Sequence, residues 1–361
     1  MVADALTSSS QIGDLTNLGL FARKEDECGR PIAHRVLVVG DGNFSFARAF
    51  LRSNADRIAS NAVSVTATSL DTHDELLKMY PNSGEILDEL KDGGVRVIHG
   101  VNATKLKEYP LLLTESDAAC DSAAAAAVDA SSTASLLFDR IVFNFPHFAE
   151  GGSKRNKIHL HRKLLRDFFQ SAQDVLTRQG LVWVTLCAGQ GGTALDTKQR
   201  AWGDTWQIVH CAADNGLIMH NIHLCPVEQL ADLGYYSVGY KLAERGFWTP
   251  DSLTHVFCRE NVGLRAQLPI EWSRGISFWI HEGYTEQKLE AILRECFPEP
   301  IRFSYSLTDQ HVCPKTHRTS VTYTVKTSCD RTAFAKHRVN EWTLKAIQIL
   351  KDSDFASSRA E

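Results

Sequence analysis

Asn144-Phe145-Pro146-His147 puts an amide, an aromatic ring and an imidazole on four successive residues, with Phe148 and Gly151-Gly152 behind them. Histidine titrates near neutral pH without help, so His147 is a candidate to take up a proton. Asn144 could orient the edge of a substrate through its amide. The plainer account is a turn, because Pro146 alone would end a strand. A turn, however, has no need of the polar cluster or the glycine pair. Beside it, Lys154, Arg155 and Lys157 stand with His159, His161, Arg162 and Lys163. This basic run is either a solvated helix face or the charged border of a pocket.

Three other places carry polar groups suited to a ligand. Gly40-Asp41-Gly42-Asn43-Phe44-Ser45 follows the apolar run Val36 to Val39 and leads into a helical pattern. Glycine lets the chain turn sharply and approach a ligand, and the amides at a helix start favour a negative group. Asp71 ends Val63-Ser-Val-Thr-Ala-Thr-Ser-Leu-Asp71 and can either accept ribose hydroxyls or cap the next helix. Asn102, in the exit from Gly94–Thr104, is placed for an adenine contact or for turn chemistry.

These residues need a sheet to hold them. The stretch from Arg35 to Phe50 reads as buried strand, glycine turn and helix, the nucleotide-cradling unit of doubly wound α/β folds. Val63–Asp71, Gly94–Thr104, Leu136–Asn144 and Gly180–Leu186 read as further strands. Leu164, Leu165, Phe168, Phe169, Ala172 and Val175 recur at helical spacing and predict a packing helix. Gly189-Gln-Gly-Gly192 reads as a mobile loop and Thr205–Gly216 as a helix. Leu217–Leu224 and Thr254–Cys258 read as the last strands. Between them, Gly234-Tyr-Tyr-Ser-Val-Gly-Tyr240 and Phe247-Trp248 could stack on bases or serve as aromatic core.

The whole composition narrows the field. The 361 residues leave room for two domains, with 43% hydrophobic and 23% charged residues. No apolar run is long enough to span a bilayer, so no membrane partner is expected. The first 22 residues hold Asp4 and Asp14 and no Lys or Arg, unlike a secretory or mitochondrial leader. Nine scattered cysteines point to a reducing compartment. The expected location is the cytoplasm, or the nucleus or nucleolus, and not the secretory route. Without a Cys-x-x-Cys pair, no metal site is expected. Ser45 stands where the third glycine of Gly-x-Gly-x-x-Gly would be, and no hydride-transfer site is visible, which disfavours a nicotinamide dehydrogenase.

After Arg259–Ser273, read as a linker, a second pattern begins. Gly275–Ile280, Ile301–His311 and Arg318–Thr327 read as strands. Thr285–Phe297 and Ala333–Lys351 read as helices. That order is β-α-β-β-α, as in a split-βαβ, ferredoxin-like sandwich. The net charge of −4 is awkward for a nucleic-acid partner. From Lys315 to Lys345, however, the bases Lys315, Arg318, Lys326, Arg331, Lys336, Arg338 and Lys345 outnumber the acids Asp330 and Glu341. This concentration is what a phosphate-binding face requires.

Two resemblances cover most of the chain. Gly40-Asp-Gly-Asn-Phe-Ser-Phe46 together with Phe138-Asp-Arg-Ile-Val-Phe-Asn-Phe-Pro-His147 resembles the Bmt5-like 25S rRNA uridine-N3 methyltransferases. The resemblance implies a Rossmann-like class I methyltransferase domain over 35–258 that uses S-adenosylmethionine; residues 1–34, with Ser8-Ser9-Ser10 and little periodicity, read as a lead-in, and the Ala-, Ser- and Asp-rich residues 114–135 as a flexible insertion. The resemblance implies that Gly40, Asp41, Gly42, Asn43, Phe44 and Ser45 hold the cofactor's methionine end, Asp71 its ribose and Asn102 its adenine. It implies that Asn144, Pro146 and His147 form the catalytic turn. Ile276-Ser-Phe-Trp-Ile280 with Pro314-Lys-Thr-His-Arg-Thr-Ser320 and Asp330-Arg-Thr332 is similar to the ferredoxin-fold anticodon-binding domain. That implies an α+β domain over 274–355, following a linker at 259–273. The expected partner is RNA, either rRNA or tRNA, touched by Lys154, Arg155, Lys157, Lys315, Arg318, Lys326, Arg331 and Lys336. The alternative is a non-catalytic RNA-binding adaptor on a retired methyltransferase fold.

Overall fold

The structure is a computed structural model that describes residues 32–114, 137–148, 157–238 and 247–358. Most of the lead-in and of the alanine-rich insertion, Gly151, Gly152, Lys154, Arg155 and Tyr240 lie outside the described residues. The first sheet contains β1 (His34–Val39), β2 (Val63–Thr68), β3 (Arg96–Ile98), β4 (Phe138–Asn144), β5 (Leu176–Leu186), β6 (Leu217–Leu224) and β7 (Leu253–Arg259). Its strand order is β3-β2-β1-β4-β5-β7-β6. β1 to β5 run parallel, while β7 is antiparallel to both β5 and β6.

The helices that follow these strands are α1 (Ser45–Ser53), α2 (Ala55–Ala59), α3 (His73–Met79), α4 (Ser83–Asp92), α5 (Lys157–Val175), α6 (Ile208–Ala213) and α7 (Val227–Asp232). A parallel sheet is covered on both faces, so its strands are apolar throughout rather than alternating. β1 shows this: Val36, Leu37, Val38 and Val39 are each at most 1% exposed. Successive side chains go to opposite faces. Leu37, Val39 and Ile141 pack with Leu165, Phe168 and Phe169 of α5, while Val36, Val38 and Val142 pack with Phe46 and Phe50 of α1.

Strand order reverses between β1 and β4, and open α/β sheets bind ligands outside the carboxyl ends of the strands at such a point. The register pairs Val39 with Phe143. The glycine turn after β1 and the Asn144–His147 turn after β4 therefore leave the sheet side by side.

The second sheet is formed by β8 (Ile270–Ile280), β9 (Arg302–Val312), β10 (Thr319–Cys329) and β11 (Ala356–Ser358), with α8 (Glu286–Cys296) and α9 (Lys336–Asp352). Its order is β11-β8-β10-β9, with every pairing antiparallel. Both helices pack on one face, where Ile276, Phe278, Val321 and Val325 meet Leu289, Leu293, Val339 and Leu350. Two expectations change. β8 starts at Ile270, inside the expected linker, because Ile270 joins this core and Trp272 packs against it. β11 was not anticipated: three residues are too few to show alternation.

The two sheets share a polar seam. Both Glu260 carboxylate oxygens accept from Arg338, each at 2.9 Å, and Oε2 also accepts the Ala333 amide at 2.8 Å. The amides of Asn261 and Ala266 donate to the Arg331 and Asp330 carbonyls at 3.3 and 2.6 Å.

Candidate active site

Gly40 turns the chain with φ +63°, and an added Cβ would stand 2.7 Å from the Phe143 ring, so the turn holds no larger residue without strain. The helix amides behind it are not free for a ligand. Asp41 Oδ2 accepts the Ala47 amide at 2.7 Å, and Asn43 Oδ1 accepts the Ser45 amide at 3.1 Å. This corrects the expectation that the start of α1 would hold the negative end of a cofactor, because a carboxylate of the chain already sits there. Burial pushes the Asp41 carboxyl up to about 7, against the pull of the amides of Ala47, Phe46 and Phe44.

Phe44 and Ser45 are both fully buried. Phe44 meets His99 edge-on at 5.3 Å. The Ser45 hydroxyl donates to the Tyr236 carbonyl at 3.0 Å and accepts the Tyr236 amide at 3.3 Å. Neither side chain is open to a cofactor, which corrects both assignments. Ser45 and Arg48, which donates to the Gly234 carbonyl at 2.6 Å, instead tie the 234–236 segment over the turn. Val238 closes over Gly42, where an added Cβ would stand 3.1 Å from it, and the buried Asn43 Nδ2 has no hydrogen-bond partner among the described residues.

Asp71 is not the helix cap. Thr72 caps α3 by accepting the Glu75 amide, and Glu75 accepts the Thr72 amide in return, a complete capping box. Among the described residues no hydrogen bond holds the Asp71 carboxylate. Burial, then the charge of Glu75, raises its pKa. Asp71 and Tyr236 are both close enough to raise the pKa of Tyr80, after burial. Asn102 does turn chemistry: its Oδ1 accepts the Thr104 amide at 2.9 Å and the Thr104 hydroxyl at 2.8 Å.

At the second turn Phe145 takes a left-handed φ of 50°. Its amide donates to the Thr185 carbonyl at 2.8 Å, and its ring packs on Phe247 at 4.7 Å. Pro146 is buried and carries no group that can move a proton, so its part is to stop the strand. Asn144 Oδ1 accepts the Thr185 hydroxyl at 2.7 Å, and Thr254 lies 3.0 Å behind that hydroxyl. With its oxygen engaged inward, Asn144 keeps its Nδ2 as the group able to donate to a substrate.

His147 is exposed, and its Nδ1 lies 3.2 Å from Nε2 of His161, which is buried. His161 Nδ1 is 2.6 Å from the Lys157 carbonyl. A carbonyl oxygen only accepts, so this nitrogen carries the proton. His161 Nε2 is then the acceptor, as the Phe148 amide pointing to it at 3.4 Å also requires. His147 must donate from Nδ1, which leaves its Nε2 as a lone pair. Partial withdrawal of the ring from water, with His161 and then Lys157 nearby, lowers the His147 pKa and favours the neutral ring at pH 7. Trp206 stacks on His161 at 4.2 Å and fixes its plane. Sequence reading placed His161 in the basic run and missed this part. No spacing rule links it to His147, and only the packing of α5 beside β4 brings them together.

The basic residues are more dispersed than expected. Lys157 opens α5, and Arg162 is engaged by the Gly203 and Thr205 carbonyls. Lys315 and Arg318 lie before β10, whereas Arg331 and Lys336 lie beyond its other end. An 11-residue strand spans about 36 Å, so these are two places and not one face. Arg318 lies over Trp279 at 5.2 Å, and Lys326 is exposed on β10 between the two ends. Lys345 is paired with Glu295 at 3.2 Å. The 189–192 loop is packed rather than mobile: an added Cβ on Gly191 would stand 2.6 Å from His255 Nε2. Of the aromatic segment, Tyr235 is buried, while Tyr236 and Trp248 are exposed.

A family model described as "BMT5-like: rRNA (uridine-N3-)-methyltransferase BTM5-like" matches residues 37–225. Ferredoxin-fold anticodon-binding domain-containing protein 1 homolog of Mus musculus is 38% identical over 226 residues, covering 63% of this chain and 31% of that protein. Ferredoxin-fold anticodon-binding domain-containing protein 1 of Homo sapiens is 35% identical over 249 residues, covering 69% of this chain and 34% of that protein. The chain thus spans about a third of the length of these relatives. Among solved structures, TrmN from Thermus thermophilus matches with a TM-score of 0.33 and 16% identity, covering 63% of this chain and 44% of that one.

Proposed function

The chain belongs to the BMT5-like methyltransferase family, and from that premise we propose that it methylates uridine N3 of an RNA with S-adenosylmethionine. The observation that carries this reading is the Asn144–His147 turn. Uridine N3 lies between two carbonyls and keeps its proton at neutral pH, so a nucleophile forms there only as the proton leaves. His147 Nε2, unprotonated and facing outward, takes that proton. As it leaves, negative charge grows on the flanking carbonyl oxygens, and Asn144 Nδ2 donates to one of them. Phe145, Phe247 and the exposed Trp248 offer rings on which an extruded base can stack.

When bound, the cofactor supplies a methyl group on a sulfonium. Its methionine end fits the Gly40–Asn43 turn, where Asn43 Nδ2 has no hydrogen-bond partner among the described residues. The unpartnered Asp71 carboxylate suits its ribose hydroxyls. Asn102 is left with its Nδ2 for the adenine.

We read residues 35–258 as the methyltransferase domain and the expected 274–355 unit, extended to 270–358 to take in all of β8 and β11, as a ferredoxin-fold anticodon-binding domain, the latter supported by the β-α-β-β-α-β order and the antiparallel sheet. Lys315, Arg318 and Lys326, and separately Arg331 and Lys336, are its phosphate contacts; Lys157, and Lys154 and Arg155 which precede it in sequence, serve the first domain. Cytoplasm, nucleus or nucleolus is the proposed location.

The test is incubation with methyl-tritiated S-adenosylmethionine and separated rRNA and tRNA, followed by digestion to nucleosides. Label in 3-methyluridine from one fraction is expected. Label in another nucleoside only would sink the N3 assignment, and no transfer by a protein that binds RNA would favour the adaptor reading.

A further inference from the structure

A groove of about 460 Å³ lies at the seam between the two sheets, with Arg166, Trp202, His210 and Asp214 on one wall and Trp272 and Lys336 on the other. That is enough space for a small ligand group. Three rings cross the seam. Trp202 meets His210 edge-on at 4.7 Å, and His210 meets Trp272 edge-on at 5.2 Å. Trp202 is 49% exposed, so one side of its ring is open.

The polar groups are incompletely used. Arg274 lies over Trp272 at 4.9 Å and donates from Nε at 3.0 Å to Asn340, and so steadies two of the residues that line the groove. His210 Nδ1 is buried and has no hydrogen-bond partner among the described residues. Arg166 and Lys336 outweigh Asp214, which Arg166 engages at 2.8 Å. The walls are held in register by the Glu260–Arg338 pair.

The groove is also tied to the candidate active site. α5 carries His161 and, five residues on, Arg166, a rise of about 7.5 Å. Trp206 stacks on His161, and Arg162 holds the carbonyls of the turn that presents Trp202.

The geometry points to a second RNA site in this groove: one unstacked nucleotide, its base on the open face of Trp202 and its phosphate at Lys336. Stacking on an aromatic ring suits any base, so the site reads strandedness rather than sequence. This rests on the RNA reading above.

The test uses the full chain and a fluorescein-labelled ten-nucleotide oligouridylate, read by anisotropy. Trp202→Ala is expected to weaken binding about tenfold, and Trp202→Phe to restore most of it. Lys336→Ala is expected to lower the salt slope by about one unit. S-adenosylmethionine affinity is expected to stay at the wild-type value in all three. Equal affinity in wild type and Trp202→Ala, or no binding by wild type, would overturn the groove. Absence of methyl transfer by a wild type that binds the oligonucleotide would overturn the enzyme reading and leave the groove standing.

Discussion

His147→Ala is expected to lower the rate of methyl transfer about 10²–10⁴-fold, the usual range for loss of a positioned general base. The reason is the fixed tautomer. Lys157 O, His161 and His147 form a one-way chain of hydrogen bonds that leaves His147 Nε2 as the basic atom. The pH profile has a definite sign. The His147 pKa is held below 6.5, so the ring is neutral and active at pH 7, and the rate falls as pH drops through that lowered value. His161→Phe keeps a ring against Trp206 but removes the acceptor for His147 Nδ1–H. It is expected to shift the acid limb and lower the rate, with RNA affinity unchanged. A pH-rate profile for both variants checks this; an unchanged profile in His161→Phe would refute the chain of hydrogen bonds.

Asn144→Ala is expected to lower kcat about 10²–10³-fold, as loss of one donor to a developing oxyanion does. The donor acts on charge that appears only as the N3 proton leaves, so KM should hardly change. Asn144→Asp should be worse, since it sets a negative group against a carbonyl gaining negative charge. Thr185→Val removes the hydroxyl that engages Asn144 Oδ1 at 2.7 Å. It should produce a smaller loss of the same kind. Steady-state kinetics on one RNA substrate separates the outcomes: a rise in KM at constant kcat would make Asn144 a binding residue only.

The sequence made the first sheet legible because its strands are buried on both sides. Val36–Val39 and Ile141–Phe143 stand out as apolar runs ahead of turn residues, and their carboxyl ends mark the site. The side-chain traffic at those ends was not legible. Asp41 reaches the Ala47 amide six residues ahead and occupies the place meant for a ligand. Asp71 came free because its neighbour Thr72 forms the capping box. Charge counting from Lys315 to Lys345 was right in sum and misleading in space, since a strand separates the two groups and Glu260 and Glu295 neutralise two members. The seam groove had no linear signature, because Trp202, His210 and Trp272 meet only through tertiary packing.

The most direct measurement is calorimetric titration of the protein with S-adenosylmethionine, wild type beside Asp71→Ala. The free carboxylate of Asp71 should accept the ribose hydroxyls, and charged hydrogen bonds of this kind are worth about 1.5–3 kcal/mol each. Saturable one-to-one binding by the wild type is expected, weakened about ten- to a hundredfold by the substitution. No binding by the folded wild type, or equal binding by both proteins, would contradict the account.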